Sequence, residues 1–343
     1  MSISTIRMRD IMALVVVAAI LVALIPLALP GVVFGATSDN LTGQFTLGNS
    51  APTVNNVTIY ETNRTDIATS LTPLTEYSVK VTVADANQLS DLSWVKVTVF
   101  WDETGTDNAS NIPADNTMKA VTFTCTVGTT PTWGMNPSSG TTWVLMTDNC
   151  TQPSLSGPSG DFFFNFKPGK VATEKASDWN AYGQAQDTSS ALGTLYETRS
   201  YAMNWYGGID VTTTNATWTG VTTGMDFDAT NAKVEGISVN YIANGDYRVA
   251  VTTDSSWGSA ALNTAGIPTA NQFSLKANNV AGVPSGNLVT TSTAGCTIDN
   301  AGVQTTTDVS GLTVATNALY LKLGAPFVKG TYSGQVCYTI IDR

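Results

Sequence analysis

Histidine is absent from all 343 residues. Without imidazole there is no Ser-His-Asp or Cys-His nucleophile, no histidine-ligated zinc or haem, and no imidazole acid-base pair. Charge is scarce too. Asp, Glu, Lys and Arg make up 12% of the chain, about half the ~25% usual for a soluble protein. What charge there is leans acidic, with 16 Lys+Arg against 26 Asp+Glu and a net charge of −10. That balance argues against nucleic acid or an anionic membrane surface as a partner. The space left by charge is filled by hydroxyl groups, 53 Thr and 27 Ser. Hydrophobic residues at 43% still allow substantial cores, and the length suits about two domains.

Residues 1–10 carry Arg7 and Arg9, and residues 11–36 then run without a charge. A basic lead, an apolar stretch and small residues at its end describe an export signal, with a cleavage point after Gly35 or Ala36. The competing reading is a retained anchor, since about 20 apolar residues span a bilayer. Pro26 and Pro30 favour the cleaved signal, because each ends a helix. Either way, the remainder is expected outside the cytoplasm, touching membrane only through residues 11–36 if these are uncleaved. The four cysteines, Cys125, Cys150, Cys296 and Cys337, contain no CxxC pair. In an oxidising compartment they are expected to form two structural disulfides. Cys125 with Cys150 and Cys296 with Cys337 is the preferred pairing, since each then stays within one domain.

Residues 37–50 are polar, with one strand-like run at 43–47. From residue 51 the pattern has period two. Tyr77, Val79, Val81 and Val83 share one face, as do Val95, Val97, Val99 and Trp101. Val121, Phe123, Cys125 and Val127 repeat the pattern, followed by Phe162, Phe164 and Phe166. Short alternating runs between Gly, Pro, Asn and Asp clusters indicate antiparallel sheets. Residues 178–187 read as a closing strand, followed by a Ser/Gly-rich stretch, and a boundary falls near 200–209. Asn244-Gly245 predicts a type I′ hairpin over residues 236–251. Its inward faces would be Ile237, Val239 and Tyr241 against Tyr247, Val249 and Val251. Residues 319–323 and 330–341 read as a final strand pair. The fold predicted is all-β: a signal or anchor at 1–36, a polar segment at 37–50, and two tandem antiparallel β-sandwiches at 51–202 and 203–343.

The stretches APTVNNVTIYE, LTPLTEYSVKVTVADANQLSDL and WVKVTVFWDE, within residues 51–101, carry a family resemblance. They resemble the immunoglobulin-like and cadherin-like modules of bacterial and archaeal secreted cell-surface proteins. Residues 162–187 look similar to the last two strands of such modules. The resemblance implies a β-sandwich fold and an extracellular location, and it carries over no catalytic residue. The second half is similar to such modules in style only.

Asp85, Asn87 and Asp91 lie in the loop ADANQLSD, with Asp102 and Glu103 beyond the next strand. Asp and Asn are ordinary turn residues, and a solvated turn is the first reading. Calcium, which takes six to eight oxygens, is the cofactor they would bind if they bound one. Folding is accordingly expected to depend little on calcium. Residues 225–228 (MDFD) are a weaker candidate. No carboxylate pair is marked out for glycoside hydrolysis, and no enzyme is expected. Trp133 and Trp257, in loop-like settings, are the surface candidates for stacking on a sugar. Sequons stand at Asn40, Asn56, Asn63, Asn108, Asn149 and Asn215. Random placement of 25 Asn and 80 Ser+Thr gives about six, so the number is no enrichment.

The function expected is that of a non-enzymatic structural protein of the cell surface, an S-layer component or filament subunit. The alternative is an adhesin or ligand-binding protein using sandwich-end loops. Its partners would be itself, other surface proteins, or a cell-wall or surface glycan.

Overall fold

The computed structural model describes residues 43–103, 112–278, 287–299 and 312–343. Asn40, Asn108 and the signal or anchor at 1–36 lie outside the described residues, as do residues 37–42. Among those described, no helix is long and apolar enough to cross a membrane.

Period-two patterning makes strands throughout the first half. They are β1 (Thr53–Glu61), β2 (Ser70–Leu71), β3 (Tyr77–Ala84), β4 (Leu92–Trp101) and β5 (Ala120–Thr126). There follow β6 (Thr132–Asn136), β7 (Val144–Leu145), β8 (Ser159–Lys167), β9 (Lys175–Asp187) and β10 (Leu192–Met203). One sheet runs β1-β3-β8-β7, the other β2-β10-β9-β4-β5-β6. Val79, Val81, Phe164 and Phe166 from the first sheet meet Val95, Val97, Val99 and Phe123 from the second, all fully buried. A truncation such as Phe164→Ala there would cost about 3–5 kcal/mol. Beyond β9, where the pattern suggests only a Ser/Gly-rich stretch, β10 pairs antiparallel with β9 from Leu192 opposite Gln186.

The second half forms β11 (Gly207–Val211), β12 (Lys233–Ala243), β13 (Tyr247–Thr253), β14 (Ser256–Trp257) and β15 (Ala260–Leu262). It continues with β16 (Gln272–Asn278), β17 (Asn287–Leu288), β18 (Thr297–Asp299), β19 (Leu312–Leu323) and β20 (Val336–Asp342). A seven-stranded sheet runs β11-β12-β19-β16-β15-β14, with β17 beside β16. Opposite it lies a sheet of only three strands, β18-β13-β20. Val239, Leu275 and Leu319 on one side and Val249 and Val251 on the other form a second core. The fold is all-β and mostly antiparallel, with short parallel pairings of β2 with β10 and β15 with β16.

Four expectations are corrected. First, β12 and β13 are not a hairpin, because they belong to opposite sheets. Tyr241 and Tyr247 do face each other, 5.5 Å between ring centroids, but across the core. Neither Asn244 nor Gly245 has the positive φ that a type I′ turn needs. A Cβ at 245 would stand 1.9 Å from Glu174 Oε2, so a side chain there would have to displace the Glu174 carboxylate. Asn244, with no exposed surface, is a bracket between the sandwiches. Its Nδ2 donates to Ala172 O (2.7 Å) and Asn204 O (3.0 Å), and its Oδ1 accepts from Tyr206 N (2.7 Å).

Second, β19 and β20 likewise sit in different sheets and do not pair. Third, residues 43–47 form no strand, and Phe45 and Leu47 are 91% and 75% exposed. Fourth, all four cysteines are free thiols. Cys296 and Cys337 flank opposite sides of β13: Cys296 O accepts from Val251 N, while Cys337 is paired with Thr252. Two strand spacings, about 9–10 Å, exceed the reach of a disulfide. Cys125 lies on β5 and Cys150 just after the short 3-10 turn at 147–149, both buried and near enough for the charge of one to bear on the other. Cys150 Sγ is engaged by Asn165 N at 3.3 Å and Met146 O at 3.4 Å.

Candidate functional site

The strands of the first sandwich bring two loops together at one end. Asp85 follows β3, Asp91 ends the short 3-10 turn before β4, and Asp187 closes β9. Leu92 lies opposite Asp187 in the β4–β9 ladder, which fixes Asp91 beside it. Carboxylate oxygens of Asp85, Asp91 and Asp187 stand within 4.8 Å of one another. Asp85 and Asp187 are 2% and 1% exposed. Asp85 Oδ1 accepts from Asn87 N at 2.7 Å, but its Oδ2 is buried without a hydrogen-bond partner. Burial pushes the Asp85 carboxyl above its ordinary range; the Asn87 hydrogen bond opposes this, and the charges of Asp91 and Asp187 add to it. Asp187 is held below its range by the side-chain hydrogen bond from Asn49, assisted by the backbone of Ala191 and Ser189. The third predicted residue, Asn87, turns its Oδ1 to Ser50 N at 2.7 Å. Sequence reading found Asp85 and Asp91 and missed Asp187, which lies 96 positions beyond Asp91 and enters only through strand pairing.

A second feature follows from the unequal sheets of the second sandwich. The seven-stranded sheet is wider than its three-stranded cover, and a groove of about 940 Å3 opens at the start of β20. Its floor includes Ile237, Phe273, Leu319 and Leu321, and its walls include Trp218 and Tyr332. Lys329 is the one charged residue among those described in the lining. Gly334 lies against the indole of Trp257, where a Cβ would be 2.0 Å from the ring. The Oη of Tyr338, also in the lining, is buried and has no hydrogen-bond partner. On its far side from β13, β20 makes no backbone hydrogen bond to any described residue. That side of β20 runs beside β11 without pairing to it, and the trough at its start is lined by apolar side chains together with Thr, Ser and Asn.

Other candidates resolve as structure. Glu103 pairs with Lys119 at the end of the first sandwich opposite the acidic cluster. In residues 225–228, Asp226 is bridged to Lys322 at 2.9 Å and Phe227 is buried beneath Lys276. Trp133 packs edge-on against Phe164 with centroids 5.2 Å apart. Trp257 belongs to the second core and is 8% exposed. Asn63, Asn149 and Asn215 are exposed, whereas Asn56 is half-buried with its Oδ1 accepting from Thr58.

The chain matches no protein-family model and no curated protein. Among solved structures it has a likeness to the 35 kDa C-terminal fragment of the major pilin GBS80 of Streptococcus agalactiae. The TM-score is 0.22 and the identity 11%, over 84% of this chain and 91% of that one. Dimeric latent PorU from Porphyromonas gingivalis gives 0.13 and 10%, over 84% of this chain and 33% of that one.

Proposed function

We propose that this chain is a non-enzymatic structural subunit of an extracellular surface assembly, polymerised by strand addition. The observation that carries the reading is the unpaired side of β20, which runs beside β11, at the mouth of the groove. An edge strand presents unpaired backbone groups, and an added strand satisfies them while its alternate side chains fill the adjoining pockets. The occupant is residues 43–47 of a neighbouring copy. That segment is uncharged, places Phe45 and Leu47 on one face of an extended chain, and leaves both exposed. It meets a groove with a single charged residue among those described in its lining.

Reach favours a neighbouring copy over the chain's own groove. Residues 43–50 span at most about 27 Å when extended. They lead into the acidic end of the first sandwich, and β9 alone spans about 40 Å between the junction and that end. The groove opens at the end of β20 remote from the junction, where Asp342 and Arg343 lie near Asn244. Donor and acceptor on different parts of one chain make a heterologous contact, which propagates as a filament when it does not close. Low charge and abundant Thr suit such a scaffold. An adhesin using the same groove for a ligand would stay dispersed without that ligand.

The test uses Cys337, an exposed thiol on β20. With Phe45 and Leu47 turned inward, Thr46 shares the outward face with Cys337, at the ~5 Å Cβ spacing of paired strands. Thr46→Cys is expected to give a ladder of disulfide-linked multimers on mild oxidation, absent when Cys337→Ser is added. Monomers cross-linked internally would overturn assembly between copies. No Cys337-dependent link of either kind would remove the segment from the groove.

A further inference from the structure

The acidic end of the first sandwich holds more than a turn requires. Asp85 Oδ1, accepting from Asn87 N, is enough to form the turn. That leaves no reason for Oδ2 to be buried unpartnered, within a few ångströms of two further carboxylates. Like charges brought so close disfavour each other's ionised form. No ion pair with Lys or Arg relieves them among the described residues. The donors are all oxygen, with no imidazole or thiolate in the cluster, which selects a hard cation over zinc or copper. The set is irregular: two buried carboxyls from different loops and a third, Asp91, partly open to solvent. Calcium tolerates such a set, taking six to eight oxygens in flexible geometry, whereas magnesium demands a near-ideal octahedron.

We infer that calcium binds between Asp85, Asp91 and Asp187. The bound ion also fixes the point where the chain enters β1. Asn49 Nδ2 donates to Asp187 Oδ2 at 2.8 Å and Ser50 N to Asn87 Oδ1 at 2.7 Å. Residues 49–50, 85–91 and 187 are thereby tied at one place. The inference stands on the first sandwich alone and is independent of the assembly reading.

The experiment titrates calcium chloride into the chelator-treated chain, followed by calorimetry and by the melting temperature. One ion per chain is expected, with a Kd on the order of 10⁻⁴–10⁻³ M. The melting temperature should rise by about 5 °C at about 10 mM calcium and fall again on chelation. Asp85→Asn and Asp187→Asn should abolish the shift. Asp91→Asn, at the partly exposed position, should weaken binding at least about tenfold with an unchanged circular dichroism spectrum in chelator. Asp226→Asn, in the second sandwich, should leave it intact. In chelator, Asp85→Asn should melt no lower than the parent, since an amide removes one of three mutually repelling charges. Absence of calcium binding, or a shift that survives both Asp85→Asn and Asp187→Asn, would overturn the site. An equal response to magnesium chloride would overturn the assignment to calcium.

Discussion

Replacing Asn244 by alanine tests whether the two sandwiches are bracketed together or merely adjacent. The substitution leaves three backbone groups without their partner: the Ala172 and Asn204 carbonyls and the Tyr206 amide. The Ala172 contact is buried, so its orphaned carbonyl costs about 1–3 kcal/mol. The other two are part-buried, and water can replace some of the loss, leaving about 0.5–1 kcal/mol each. The whole effect is therefore about 2–5 kcal/mol. For a chain of this size, that lowers the melting temperature by roughly 5–15 °C. Asn244→Asp should be at least as damaging, because it keeps the acceptor for Tyr206 N but aims a carboxylate at two carbonyl oxygens. Differential scanning calorimetry is the assay. The parent is expected to melt in one transition and Asn244→Ala in two, since losing the bracket uncouples the cores. A fall of less than about 2 °C with one transition intact would refute the bracket.

Two further outcomes follow from burial and hydrogen bonding. Burial pushes the thiols of Cys125, Cys150 and Cys296 up to about 12, 11 and 11, while Cys337 is exposed. A thiol reagent at about pH 8 should label Cys337 alone in the native chain and all four after unfolding without reductant; fewer than four on unfolding would reveal a disulfide. Glu76 is held below its ordinary 4.5, first by the Asn165 side chain and then by Asn149, whose amides donate to Oε1 at 3.0 and 2.9 Å. A depressed carboxyl stabilises the fold above pH 4.5 and loses that contribution as the pH falls through its lower native value. Glu76→Gln should therefore show a smaller drop in urea midpoint between about pH 7 and about pH 3 than the parent does. An equal drop would discard the assignment.

What the sequence disclosed was local. Alternation at residues 77–83, 95–101 and 162–166 identified core faces correctly, because side-chain direction along a strand depends only on period two. Pairing partners were not legible. Ile237, Val239 and Tyr241 were read as facing Tyr247, Val249 and Val251, and they do, but through the core of a sandwich. Both arrangements bury the same residues, so the pattern cannot separate them. Asn244-Gly245 misled because the pair has two uses: positive φ in a hairpin, or a compact polar bracket beside a residue without Cβ. The acidic site was half visible for a similar reason. Asp85 and Asp91 share a loop, whereas Asp187 reaches them only through the register of β4 against β9. The groove left no signal at all. It arises from the difference between seven strands and three, which is a property of sheets.

The direction of the chain through the first sandwich has a mechanical consequence. β1 begins at the acidic end, with Thr53 opposite Ala84, and β10 leaves at the other end, with Met203 opposite Lys175. The entering and departing strands thus run the same way on facing sheets, joined where Ile59 N donates to Tyr201 Oη at 2.9 Å. Tension applied between the two ends pulls along both strands. The ladder bonds of β1 to β3 lie across that pull. They are sheared together instead of being unzipped one at a time, so rupture must break them collectively and its rate is set by a single high barrier to unfolding. A subunit threaded in this sense is strongest along the line from its first residue of strand to its second sandwich, and weakest when peeled from the side.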